Sequence, residues 1–182
     1  MISNFISEKI FGKQFFSKYY LVVLGVILLT ISSKISLPFF HISITLQTLV
    51  VYFISSFMGI LGFYAVLIYL LLGTLGLPIF SDGGGFEYIF SPIYGFLYGM
   101  LFASLSINYI LKTGYKNFNK ILLSIFTGFC MMYFTGICHQ SYFIGLQKVF
   151  TESFLFLIYS ELFKVILATV MIYILLMKFN KN

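Results

Sequence analysis

Six runs of apolar residues separated by short polar joints constrain this chain more than any single motif does. They cover residues 19–35, 46–58, 61–77, 91–111, 121–137 and 154–177. A helix crossing a hydrocarbon core about 30 Å thick needs about 20 apolar residues, and fewer where neighbours shield it. The second run is the shortest and opens with polar residues. It reaches across only if the loop before it tucks into the protein. The chain is 60% hydrophobic and only 9% charged, whereas a soluble domain is about a quarter charged. Too few charges remain to clothe a water-facing surface. The expected fold is all-α: a polytopic membrane protein, one bundle of six transmembrane helices filling residues 1–182 as a single domain.

The lysines give this bundle a direction. Of the charged residues, eleven are lysines, none is arginine and five are acids, for a net charge of +6. With six spans and both termini cytoplasmic, Lys9, Lys13, Lys18, Lys112, Lys116, Lys120, Lys178 and Lys181 share one side. Lys34 and Lys148 fall outside, with Asp82, Glu87 and Glu152, and Lys164 lies within the sixth span. That asymmetry is the positive-inside pattern. It implies a multi-pass protein of the cell membrane, with cytoplasmic segments at about 1–18 and about 178–182. In a soluble chain such basicity would suggest nucleic acid. Here no basic stripe with stacking aromatics lies outside the spans, so nucleic acid is not an expected partner. The first run lacks a small-x-small cleavage site and is read as an uncleaved helix.

The outer joints carry the unusual chemistry. Pro38 falls in the first, and Pro78 and Pro92 bound the second. The second reads LPIFSDGGGFEYIFSP over 77–92, too polar for lipid and too apolar to float in water. It is expected to fold down over the helices. Asp82 opens its SDGGG turn, where Asp-Gly is also an ordinary turn dipeptide and Gly83, Gly84 and Gly85 permit tight geometry. No GK[ST] follows the glycines, so they are not a phosphate cradle. Active transport must then draw energy from a partner or an ion gradient.

Within the sixth span, Glu161 and Lys164 stand three residues apart and so on one helical face. Each charge costs about 2.5–3.5 kcal/mol near a helix centre. Glu161 lies about 10 Å below the start of its span at 1.5 Å per residue. Such a pair either neutralises itself as structural glue or lines a polar pocket. Spare hydrogen-bonding capacity on both partners lets the two readings coexist. Ala168 and Met171 are expected to continue the stripe. Gln47, with Thr45, opens the second span beneath an outer joint, where it can cap, bridge helices or face a ligand. His41 and His139 read as interfacial residues, and Cys130 and Cys138 as buried thiols. The chain assembles neither a metal-ligand set nor a nucleophile with an oriented base, so no cofactor and no enzymatic activity are expected. Gly95, Gly99 and Ala103 recur at four-residue spacing and suit close helix packing.

Three stretches and one pair, in order, carry a resemblance. They are ITLQTL at 44–49, YLLLGTLGLPIFSDGGG at 69–85, SPIYGFLYG at 91–99 and the pair Glu161-x-x-Lys164. Together they resemble the BioY family, the substrate-binding components of biotin transporters of the energy-coupling factor type. The family's proline-threonine is Pro92-Ile93 here, its glycine pair is Tyr94-Gly95, and its aspartate is Glu161. A small-residue docking motif in the first helix is interrupted, with Leu29 four residues after Gly25. The resemblance implies a high-affinity biotin site capped by the extracytoplasmic loops. Glu161, Lys164, Asp82, Gln47, Gly84, Tyr88 and Phe80 are its candidate residues. It also implies a separate transmembrane coupling protein and ATPase subunits as partners. A component for a different small vitamin is the alternative.

Overall fold

Where most side chains are apolar and the backbone cannot bond to lipid, helices satisfy every N–H and C=O internally. The computed structural model describes residues 16–39, 42–114 and 117–180. Lys9, Lys13, Lys116, Lys181, His41 and most of the N-terminal segment lie outside the described residues. Among the described residues, six helices of twelve residues or more follow in order: α1 Phe16–Lys34, α2 Gln47–Met58, α3 Ile60–Thr74, α4 Tyr94–Leu111, α5 Phe118–Ile144 and α6 Leu155–Asn180. Three helical stretches are by themselves long and apolar enough to cross a membrane: Tyr94–Leu111, Phe118–Ile144 and Ile158–Lys178. The apolar parts of the other three, Tyr19–Lys34, Gln47–Met58 and Ile60–Thr74, are shorter. Large apolar side chains face outward, with Tyr109, Phe134, Phe163 and Ile174 each more than half exposed. On a soluble monomer such a sheath would be an aggregation hazard; against lipid it is the correct surface.

The short second helix is explained by its position. At 1.5 Å per residue its twelve residues span about 18 Å. It is packed by α1, α3, α4 and α6, so protein rather than lipid surrounds it. Gly59 ends it with φ 56°, a conformation that favours glycine. The chain then turns back, and Gly62 of α3 lies against the Ile54 carbonyl and the Ser55 backbone of α2. Deeper in the core a hydrogen bond of 2.9 Å from Ser55 Oγ to Ser104 Oγ ties α2 to α4. Around it sit Tyr52, Ile54, Ala65, Val66, Ala103, Ile107, Ile125 and Ile172, all buried.

The α4–α5 pair is the closest packed. A side chain on Gly95 would overlap His139, and one on Gly99 would press into Thr135 and the Met132 backbone. From the other side, Gly128 of α5 lies beside Ile107 and the Ala103 carbonyl. The small-residue spacing thus meets its partner helix. Helix α5 continues past the apolar run ending at 137, because Cys138, His139, Gln140 and Ser141 remain helical to Ile144. His139 stacks on Tyr98 at 5.6 Å and on Phe143 at 5.1 Å, and Gln140 is buried. Hydropathy marks where lipid contact ends, and the helix runs on. Both cysteines are exposed on α5 and are not the buried thiols expected.

The joint between α1 and α2 adds one element to the all-helical plan. Strands β1 Ser36–Phe39 and β2 Ile42–Thr45 form an antiparallel hairpin pairing Ser36 with Thr45 and Phe39 with Ile42. The β-branched alternation Ile-Ser-Ile-Thr suits a strand, and Pro38 is tolerated because this small sheet has only edges. The longer joint, 75–93, carries a 3-10 turn at Phe86–Phe90. Before α6, a single helical turn Leu146–Lys148 and a π-helical turn Val149–Phe154 lead in. Enlarging Gly99 to leucine should overpack the α4–α5 seam at about 1–3 kcal/mol. The readout is a lower melting temperature of the purified protein in detergent; an unchanged one would show that the seam is not tight.

Candidate functional site

The site grows from the first turn of α2 and the second and third turns of α6. On α2, Thr48 and Tyr52 are four residues apart and therefore share a face. On α6, Glu161 and Lys164 share another. Where these faces meet, Lys164 Nζ lies 2.5 Å from Glu161 Oε1. Both residues are about 95% buried, at 6% and 5% exposure. The Thr48 hydroxyl sits between them, donating to Glu161 Oε1 at 2.9 Å and accepting from Lys164 Nζ at 3.1 Å. Tyr52 donates to Glu161 Oε2 at 3.4 Å. Lys164 also donates to the Thr45 carbonyl, at the end of β2, at 2.7 Å.

Counting donors and acceptors sharpens the sequence reading. An ammonium has three hydrogens, and Lys164 directs them to Glu161, Thr48 and Thr45. The spare capacity expected on both partners is therefore found only on Glu161. A carboxylate has about four lone-pair sites, and among the described residues Oε2 receives only the long bond from Tyr52. Tyr133, from α5, also lies within electrostatic reach of Glu161. Its ring packs on Phe129 at 4.5 Å and on Phe96 at 5.7 Å. Thr48, Tyr52 and Tyr133 were not legible as site residues in the sequence, because each is ordinary within an apolar span. Only the i, i+4 spacing of Thr48 and Tyr52 was a signal. Ala168 is buried on the α6 stripe, but Met171 is exposed. Eleven residues make about three turns at 3.6 residues per turn, so Ile172, buried, returns to the Glu161 face instead.

Gln47 is buried, next in sequence to Thr48, and its Nε2 makes no hydrogen bond among the described residues. Its carboxamide faces the Tyr69 hydroxyl of α3. Tyr69 in turn donates to the Ile79 carbonyl at 2.9 Å, which connects the α2 cluster to the 75–93 joint. That joint is a lid with a buried plug. Phe80 is 1% exposed, its ring 5.4 Å from Tyr69 and 4.9 Å from Tyr88. It fills the space over Gly73, where any side chain would collide with it. Gly85 donates to the Gly73 carbonyl at 2.8 Å. Gly84 passes so close to the Leu77 and Gly73 carbonyls that no Cβ fits. Gly83 and Gly85 have φ of 122° and 126°, which favour glycine.

Of the candidate residues, Glu161 and Lys164 meet in the cluster, Gln47 stands next to Thr48 but faces Tyr69, and Phe80, Asp82, Gly84 and Tyr88 lie on the lid. Asp82 is exposed and accepts from its neighbour Ser81 at 3.0 Å. Burial pushes the Tyr88 phenol above its ordinary range, so it stays protonated at neutral pH beside Ser81. What the assembly can do is specific. It holds one paired carboxylate in an apolar bundle, with acceptor capacity left at Oε2, and one buried amide donor that makes no hydrogen bond among the described residues. Such a place suits a small guest carrying both N–H donors and oxygen acceptors. Removing Glu161 alone, as Glu161→Ala, strands a buried ammonium and should cost about 3–5 kcal/mol. The double variant Glu161→Leu/Lys164→Met should melt closer to the parent protein. A single variant as stable as the parent would contradict a buried, mutually dependent pair.

Comparison with known proteins adds to this geometry. The BioY family model matches residues 8–181. The biotin transporter BioY2 of Lactococcus lactis subsp. cremoris (strain MG1363) is 30% identical over 159 residues, covering 82% of this chain and 85% of that protein. The biotin transporter BioY of Thermotoga maritima is 27% identical over 144 residues, covering 78% and 85%. The crystal structure of the S-component for biotin from an ECF-type ABC transporter superimposes with a TM-score of 0.76 at 22% identity, over 87% of this chain and 89% of that one. At that identity the superposition speaks for a shared fold.

Proposed function

The chain belongs to the BioY family, and from that premise we propose that it is a biotin-binding membrane subunit that brings the vitamin into the cell. The observation that carries the reading is the buried Glu161–Lys164 pair beside the unbonded Gln47 amide. A membrane helix bears such charges at a cost of several kcal/mol, and a polar guest gives that cost a purpose. Biotin presents two ureido N–H donors, a ureido carbonyl, an apolar sulfur ring and a carboxylate tail. Glu161 Oε2 accepts a ureido N–H. Gln47 Nε2 donates to an oxygen of the guest. Lys164 pairs with Glu161, and it reaches the guest by exchanging the Thr45 carbonyl for a ligand oxygen. Tyr88, Phe80, Asp82 and Gly84 act from the lid, the aromatics closing over the apolar middle of the ligand.

The same reading extends to topology and partners. Both termini are cytoplasmic in the cell membrane, supported by the clustering of lysines on that side, so the hairpin and lid face outward. Uptake is energised by a separate coupling protein and ATPase subunits. The solved protein of similar fold supports this, being the biotin component of an ECF-type ABC transporter.

Two measurements test the proposal. Expressed with coupling and ATPase partners in a biotin auxotroph lacking its own importer, the chain should restore growth at trace biotin. The purified protein should bind biotin in preference to thiamine and riboflavin, and Lys164→Ala should weaken that binding about tenfold or more, equivalent to at least about 1.4 kcal/mol. Preference for another vitamin would replace the substrate, and unchanged affinity in the variant would remove Lys164 from the site.

A further inference from the structure

Two consecutive carbonyls of the lid are held by side chains that lie outside it. The Ile79 carbonyl accepts from Ser33 Oγ at 2.7 Å and from Tyr69 at 2.9 Å, and the Phe80 carbonyl accepts from Lys34 Nζ at 2.5 Å. Ser33 and Lys34 are the last two residues of α1. Because they grip main-chain oxygens, their hold does not depend on which side chains the lid carries. We infer that Ser33 and Lys34 form a latch that sets how readily the 75–93 lid lifts, and hence how fast a ligand enters and leaves the Glu161–Lys164 site. The effect on ligand rests on the biotin-binding reading above; the hold on the lid does not.

The latch is built to release at little cost. A serine hydroxyl has one hydrogen, and Ser33 Oγ has a second acceptor in reach, the Thr30 carbonyl at 2.8 Å. When the lid lifts, that hydrogen turns to Thr30 and no buried donor is left unsatisfied, which would otherwise cost about 1–3 kcal/mol. Lys34 is exposed, so water takes the place of the Phe80 carbonyl. Tyr69, fully buried, is the third holder, and the Gln47 carboxamide lies beside its hydroxyl. The end of α1 reaches the other cap too, since the Leu46 N–H donates to the Ile35 carbonyl at 3.2 Å at the base of the hairpin.

The test compares Ser33→Ala, Lys34→Met and their combination with the parent chain, each purified whole. Amide hydrogen exchange across 75–93 is followed without ligand and with biotin, and biotin association and dissociation are timed by stopped flow. The expected result is faster lid exchange without ligand in each variant. For the combination, kon and koff should both rise by about threefold or more while Kd moves less than either rate. A residue that merely touched ligand would raise koff alone. Lid exchange at the parent rate in the combined variant would overturn the latch, and so would a rise in koff with kon unchanged. If the parent chain binds no biotin, the functional reading fails, and lid exchange without ligand still decides whether the latch exists.

Discussion

An ammonium group in an apolar bundle must place all three of its hydrogens, and Lys164 places them on Glu161, Thr48 and Thr45. Each partner comes from a different part of the chain: the same helix, the first turn of α2, and the end of the hairpin. The charge therefore works as a joint. It gives the buried Glu161 carboxylate a partner where an unpaired charge would be costly. It also pins a two-stranded hairpin, a unit only marginally stable by itself, to a helix more than a hundred residues away in sequence.

The rest of the ligand end follows from satisfying that joint. Helix α2 must begin deep enough for Thr48 to stand between the two charges, which leaves it short, and its neighbours then screen it from lipid. With Thr48 turned to the pair, the adjacent Gln47 turns toward α3 and Tyr69. Tyr69 holds the lid, and Phe80 of the lid fills the notch over Gly73. A ligand that took hydrogen bonds from this cluster would be felt at the hairpin, which Lys164 bonds directly through the Thr45 carbonyl.

The six helices and the shared face of Glu161 and Lys164 were legible in the sequence, since each rests on a local pattern. Apolar run length reads as a span, and a three-residue interval reads as a face. The hairpin was hidden because Pro38 and its short polar surroundings look like plain loop. Tyr52 and Tyr133 were hidden for a different reason: a tyrosine in a span is as readily a core residue as a hydrogen-bond donor. The donor count at Lys164 was beyond reach altogether, since it depends on a backbone carbonyl, and every residue has one. The family motifs fall on the start of α2, the 75–93 joint and α6, and only geometry distinguished the lid residues from the charged pair.

The central claim is that a bound guest touches the Glu161 carboxylate. Infrared difference spectroscopy of the purified protein, recorded on adding biotin, reads that directly. A carboxylate band that shifts on binding, and is missing from the difference spectrum of Glu161→Gln, is the predicted result. A parent protein saturated with biotin whose spectrum shows no change assignable to Glu161 would contradict it.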